Sequence, residues 1–253
     1  MAEPYRSKAW ALISEESGNI DFFICPSNYF KDFIIKKTGI KAEKIHVVPS
    51  GLEETGFQNL SKINNVPAIG FYSRLSHRNG LDKLIDAYIL IMRENKVPSL
   101  QLHLCGGYTT DNKSFVKQQF RKLRESGFDG GVKLYSAFHG KQEEEFFCSI
   151  DIMSVPVRKP DAYGLYLLTA NSAGVPVVQP GTGAFPEIIQ MTGGGIIYHP
   201  DSVEQLASTL IETINDKEKL QKLSASGKEA VHLLLSTQKM ARDIVSLYKK
   251  SLV

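Results

Sequence analysis

Cysteine is scarce. The chain carries Cys25, Cys105 and Cys148, far apart and with no CxxC or Cys/His spacing, which argues against a disulfide framework or a zinc site. A reducing, cytoplasmic setting is expected. Also missing is any run of the ~20 apolar residues that a membrane span needs. The N-terminal MAEPYRSKAWALISEESGNIDFFICPS has no basic segment leading into a long apolar run, so no export signal is expected either. Charge of one sign is not in excess: Lys+Arg 30 stands against Asp+Glu 27, net +3, too balanced to indicate nucleic acid. Doublets such as Lys36 with Lys37 and Lys249 with Lys250 read as solvated helix faces. No repeat or low-complexity linker interrupts the chain. The least patterned stretch, FQNLSKINNV at 57–66, reads as a junction between structural units.

What is present is the material of a globular core, 42% hydrophobic residues in a chain of 253. Short β-branched and aromatic runs, IDFFIC, KIHVVP, AIGFYS, LQLHLCG, VKLYSAF, DIMSVPV, VPVVQP and GIIYHP, alternate with helical patterns and read as buried strands. The clearest helix is expected after Gly80, where Leu81, Leu84, Ile85, Tyr88, Ile89 and Met92 fall on one stripe. Near the end, VEQLASTLIETI, a segment around Glu218 to Ser226 and a last helix presenting Met240, Ile244, Leu247 and Tyr248 are expected. This alternation predicts an α/β fold with a Rossmann-like parallel sheet and helices on both faces. Ligands in such folds bind beyond the carboxyl ends of the strands, which directs attention to 73–80, 105–108, 158–164 and 181–184.

Three of these stretches can carry chemistry. The loop with Arg74, His77, Arg78 and Asn79 places two guanidinium groups at a strand end, where they can clamp phosphate oxygens or simply face solvent. In RKPDAYGLYLLTANSAG, Asp161 precedes a turn in which Gly164 lets backbone approach a ligand, and Leu165 opens a helix whose N-terminus favours an anion. A helix holding both Asp161 and Thr169 would put them on one side, two turns apart. Equally, Asp161 can cap the helix and Thr169 can be a buried hydroxyl bonding its own helix. The PGTG turn with Gly183, followed by Glu187 on a short helix, can face phosphate or sugar or be only a turn. His103, alternating with Leu102 and Leu104, reads as a satisfied core or rim histidine.

Taken in order, the segments resemble the group 1 glycosyltransferases of GT-B fold. CPSNYFKDFIIKKTGIKAEKIHVVPSGLEETGF, IGFYSRLSHRNGLDKLIDAY, DAYGLYLLTANSAGVPVVQPGTGAFPEII and GGGIIYHPDSVEQLASTL are similar to four consecutive family segments. The resemblance implies a hexosyltransferase-type enzyme of polysaccharide or glycoconjugate assembly, moving a sugar from a nucleotide-sugar donor with retention of configuration. It implies no metal and no cofactor: positive charge and helix-end N–H groups stabilise the leaving nucleoside diphosphate. Arg74 would bind the diphosphate. Asp161, taken as catalytic, would contact the sugar in place of the first Glu of an E-x7-E motif. Thr169 would stand where the second holds the ribose, and Gly164 and Leu165 would present backbone.

The chain departs from the family pattern at this site. A lysine position falls on Asn79, with Arg78 beside it as a shifted source of charge, and the two glutamates become Asp161 and Thr169. The resemblance also implies a partition: 1–62 as the remnant of an N-terminal domain with its interdomain segment, 63–235 as the donor-binding domain, and 236–253 as a terminal helix crossing back to cover the remnant strands. The acceptor-binding half would lie upstream or on a separate chain, and the isolated chain would be inactive without it. Apolar surfaces meant for that half could meet a membrane face, though no amphipathic anchor is evident. Two other readings are a non-catalytic nucleotide-sugar binding or interaction module, and a hydrolase pairing Asp161 with Glu187.

Overall fold

The computed structural model describes residues 4–53, 57, 62, 66–136, 140–199 and 201–251. Helix α1 (Tyr5–Glu16) is followed by β1 (Phe23–Cys25), α2 (Asn28–Thr38) and β2 (Ile45–Val47), and β1 and β2 pair in parallel as a separate two-stranded sheet. Its small core joins Cys25, Ile40 and Ile45 to Phe30, Ile34 and Ile35 on the inner side of α2. No residue of α1 is buried, and its Tyr5 and Leu12 are exposed.

The remaining strands are β3 (Ala68–Tyr72), β4 (Gln101–Cys105), β5 (Val132–Tyr135), β6 (Ile152–Met153), β7 (Val177–Pro180) and β8 (Gly195–Tyr198). They form one all-parallel sheet in the order β5-β4-β3-β6-β7-β8. Strand order reverses between β3 and β6, which makes that crevice the switch point of a doubly wound sheet. The helices are α3 (Leu81–Glu94), α4 (Lys113–Glu125), α5 (Lys141–Ser149), α6 (Leu165–Ser172), α7 (Phe185–Thr192), α8 (Val203–Asn215) and α9 (Lys217–Leu234). Helix α3 packs with α4 and α8, and α9 packs with α6 and α7, giving a helical layer on each face. The stripe read along α3 is its core face: Leu81, Leu84, Ile85 and Tyr88 are fully buried, each contributing about 2 kcal/mol of apolar burial.

Helix α9 runs well past the segment expected around Glu218 to Ser226. Gly227 lies within this helix, where an added Cβ would come 2.9 Å from Asn171 Cγ and from the Gly194 Cα. Here glycine permits close helix packing where it normally weakens or ends a helix. The last helix is α10 (Thr237–Ser251). Its start is tied to the N-terminal part of the chain by Leu52 N–H to Leu235 O (2.7 Å) and Thr237 N–H to Leu52 O (3.2 Å). Further along, Tyr248 meets Phe22 edge-on at 5.3 Å, next to β1. Most of the expected junction at 57–66 lies outside the described residues; Phe57 itself is buried against Phe147 in the main core. No helix among the described residues is long and apolar enough to cross a membrane.

Candidate functional site

The four strand ends singled out above lie on the neighbouring strands β4, β3, β6 and β7, and backbone hydrogen bonds join them. Ser73 N–H and Leu75 N–H donate to Cys105 O (3.1 Å) and Gly107 O (2.9 Å), linking the β3 and β4 ends. Across the switch point, Arg158 N–H donates to Arg78 O (3.0 Å), and on the far side Ala184 N–H donates to Asp161 O (3.1 Å). The arginine loop, the Asp161 turn and the PGTG turn therefore line one rim.

Arg74 and Arg78 are exposed, and no described residue pairs with either guanidinium. Asn79 has a different task. Its Nδ2 donates to Ser73 Oγ (2.9 Å) and to Arg74 O (3.0 Å), so one amide proton holds the Ser73 side chain and the other the backbone of Arg74. Arg158, which sequence reading did not single out, pairs with Asp82 at the start of α3. With its N–H bond to Arg78 it fastens the β6 end to the arginine loop.

Asp161 is half-buried and lies outside α6, which begins at Leu165 behind Gly164. The expectation of Asp161 and Thr169 two turns apart within one helix therefore does not hold, nor does Asp161 cap that helix. It closes a turn: Oδ1 accepts from Tyr163 N–H at 3.2 Å. Gly183 packs on the same turn with φ +62, and a Cβ there would sit 2.5 Å from Asp161 O, so position 183 requires glycine for both space and conformation. Thr169 is half-buried and its Oγ1 donates to Leu165 O at 3.3 Å, the helix-bonded arrangement weighed above. Leu165 is 47% exposed at the first position of α6, beside backbone N–H groups that have no partner within the helix.

Glu187 faces the N-terminal segment. Its Oε1 accepts from Asn28 N–H (2.9 Å) and Asn28 Nδ2 (2.8 Å), and Oε2 from Tyr29 N–H (3.2 Å). A carboxylate thus sits at the positive end of α2. Ser27, buried, caps the same helix by accepting from Phe30 N–H (3.1 Å) and donates to Ala162 O at 2.6 Å. Tyr163 adds a bond from its hydroxyl to Ser50 O (2.9 Å); burial, reinforced by the Glu187 charge, pushes its ionisation well above the usual range. These residues fix the Asp161 turn to the β1–α2–β2 unit. No local pattern announces these links, because apart from the Ser27 cap each bond spans more than 100 residues. His103 is a satisfied core residue, with Nδ1 on Ser149 Oγ (2.7 Å) and Nε2 on Gln101 Oε1 (2.9 Å).

Residues 52–230 match the family model described as glycosyl transferases group 1. The chain is 25% identical over 203 residues to the GDP-mannose-dependent alpha-(1-6)-phosphatidylinositol monomannoside mannosyltransferase of Mycobacterium tuberculosis, covering 76% of this chain and 49% of that protein. It superposes on the structure of a glycosyltransferase from Rickettsia africae ESF-5 with a TM-score of 0.81 at 17% identity, over 100% of this chain and 68% of the other. It superposes on Anabaena Alr3699/HepE in complex with UDP with a TM-score of 0.80 at 20% identity, over 91% and 64%. The chain spans about half the length of the curated relatives it matches.

Proposed function

The chain belongs to the group 1 glycosyltransferases, and from that premise we propose that it forms the sugar-nucleotide half of an enzyme transferring a hexosyl group from a nucleotide-sugar donor to a glycan or glycoconjugate acceptor. The observation that carries this reading is the junction across the switch point, where Arg74, without a side-chain partner among the described residues, stands on the β3 end and Asp161 on the adjoining β6 end, their loops joined through Arg158 and Arg78. One side supplies cation to a diphosphate and the other a carboxylate to the sugar beyond it. The GDP-mannose of the mycobacterial relative's name and the UDP bound to the Anabaena protein support a nucleotide-sugar ligand.

In this arrangement Arg74, with Arg78 beside it, neutralises the diphosphate as it leaves, and the N–H groups at Leu165 and Tyr166 add positive potential without a divalent ion. Asp161 accepts from a sugar hydroxyl through Oδ2, Thr169 offers one hydroxyl towards the ribose, and Gly183 shapes the turn. Glycosyl transfer proceeds with retention. The acceptor is held by an N-terminal domain supplied upstream or by another chain, so this chain alone binds donor and does not transfer. The free thiols of Cys25, Cys105 and Cys148 suit a reducing, cytoplasmic setting.

Calorimetry with UDP, GDP, UDP-glucose and GDP-mannose, in the presence of EDTA, tests the reading. At least one nucleotide should bind, and Arg74→Ala should weaken it by about tenfold, the worth of a charged hydrogen bond, with no loss of thermal stability. Unchanged affinity in Arg74→Ala would remove the phosphate role.

A further inference from the structure

Tyr166, the second residue of α6, has a buried hydroxyl with no hydrogen-bond partner among the described residues. A phenol oxygen normally finds a partner when it is buried. Side chains on a helix lean towards its N-terminus, so a tyrosine at this position overhangs the turn that leads into α6. Its ring meets Phe185 edge-on at 6.1 Å, and Phe185 in turn fills the space beside Gly164, where an added Cβ would lie 2.7 Å from Phe185 Cε1. The ring is thereby wedged between the starts of α6 and α7, the two helices that flank the Asp161 turn.

Asp161 shows the complementary lack. Oδ1 accepts from Tyr163 N–H, and among the described residues nothing donates to Oδ2. Burial, and after it the charge of Asp161, holds the Tyr166 hydroxyl far above its usual ionisation range. The phenol therefore stays protonated and can act only as donor towards that carboxylate.

We propose that Tyr166 is a positioning residue for Asp161, its hydroxyl donating to the free carboxylate oxygen when a sugar nucleotide is seated and so fixing the direction in which Asp161 accepts from the sugar. This rests on the reading of Asp161 as the sugar contact. It also accounts for a large aromatic at the start of α6, since an aspartate reaches one methylene less far than a glutamate and gains most from being held.

Tyr166→Phe removes only the oxygen. The expected result has three parts: a melting temperature equal to or above that of the wild type, because an unpartnered polar atom is gone; unchanged affinity for UDP or GDP; and about tenfold weaker binding of the matching UDP-glucose or GDP-mannose. Asp161→Asn should cost less in the Tyr166→Phe background than in the wild type, since the two groups act as one unit. Unchanged sugar-nucleotide affinity in Tyr166→Phe, or strictly additive losses in the double variant, would overturn the proposal while leaving the donor site in place. A wild-type protein that binds neither the diphosphates nor their sugars would overturn both.

Discussion

Glu187 and Asn28, 159 residues apart, form a two-point contact in which one carboxylate oxygen accepts both the backbone N–H and the side-chain amide of the asparagine. With Tyr29 N–H on the other oxygen, the charge of Glu187 satisfies donors that α2 leaves open at its first turn. Glu187 is thus a clamp between the two sheets. Glu187→Gln keeps the shape and removes the charge, and should cost about 1 kcal/mol. Hydrogen exchange in Asn28–Thr38 should accelerate while β3 and β4 stay protected. Equal exchange in α2 for both proteins would show that the clamp is not what holds it.

Thr169 carries a separate expectation. Its hydroxyl makes only a 3.3 Å bond to Leu165 O, and the side chain is half-buried, so a longer residue has an exit to solvent and little is lost on replacement. Thr169→Glu should leave the melting temperature nearly unchanged. It should tighten nucleoside diphosphate binding by about tenfold, the difference between a neutral and a charge-assisted bond to ribose hydroxyls. Calorimetry on the two proteins checks this. Weaker binding together with a lower melting temperature would make Thr169 a helix residue with no ribose role.

Elements with a local signature were legible in the sequence. The α3 stripe needs only its own spacing, and the central strands β3, β4, β6 and β7 are short, mostly apolar buried runs; the edge strand β5, expected to be buried, instead leaves Lys133 and Leu134 exposed because no strand pairs with its outer side in the sheet order. The arginine loop and the Asp161 turn could be placed on one rim because a parallel sheet gathers its strand ends on one edge. What escaped reading depends on contacts between distant segments. The segment around Glu218 to Ser226 reads short, since the helix runs on through Gly227, which packs against Asn171 and Gly194. Glu187 looks like a rim carboxylate until the start of α2 arrives beside it, and Asp161 looks like a helix cap until Gly164 is seen to open α6. Asn79 could be read only as a missing charge, whereas its two amide bonds make it the brace of the loop.

His103 makes stability depend on acid. Burial, helped by the charge of Lys133 and opposed by Asp151, lowers its pKa to about 4, while an unfolded histidine titrates near 6.5. Above pH ~6.5 the ring is neutral in both states and adds no pH dependence. As pH falls from there towards 4, the unfolded chain takes up a proton that the native ring refuses, and stability declines, by about 2 kcal/mol from this residue alone at pH ~5. His103→Gln has no proton to gain. It should be less stable than the wild type at pH ~7.5, because the bonds to Ser149 and Gln101 are altered, yet lose less on acidification. Urea melts at the two pH values measure the difference. The gap between variant and wild type should narrow or reverse in acid, and parallel losses would mean that His103 is not the group whose protonation destabilises the fold.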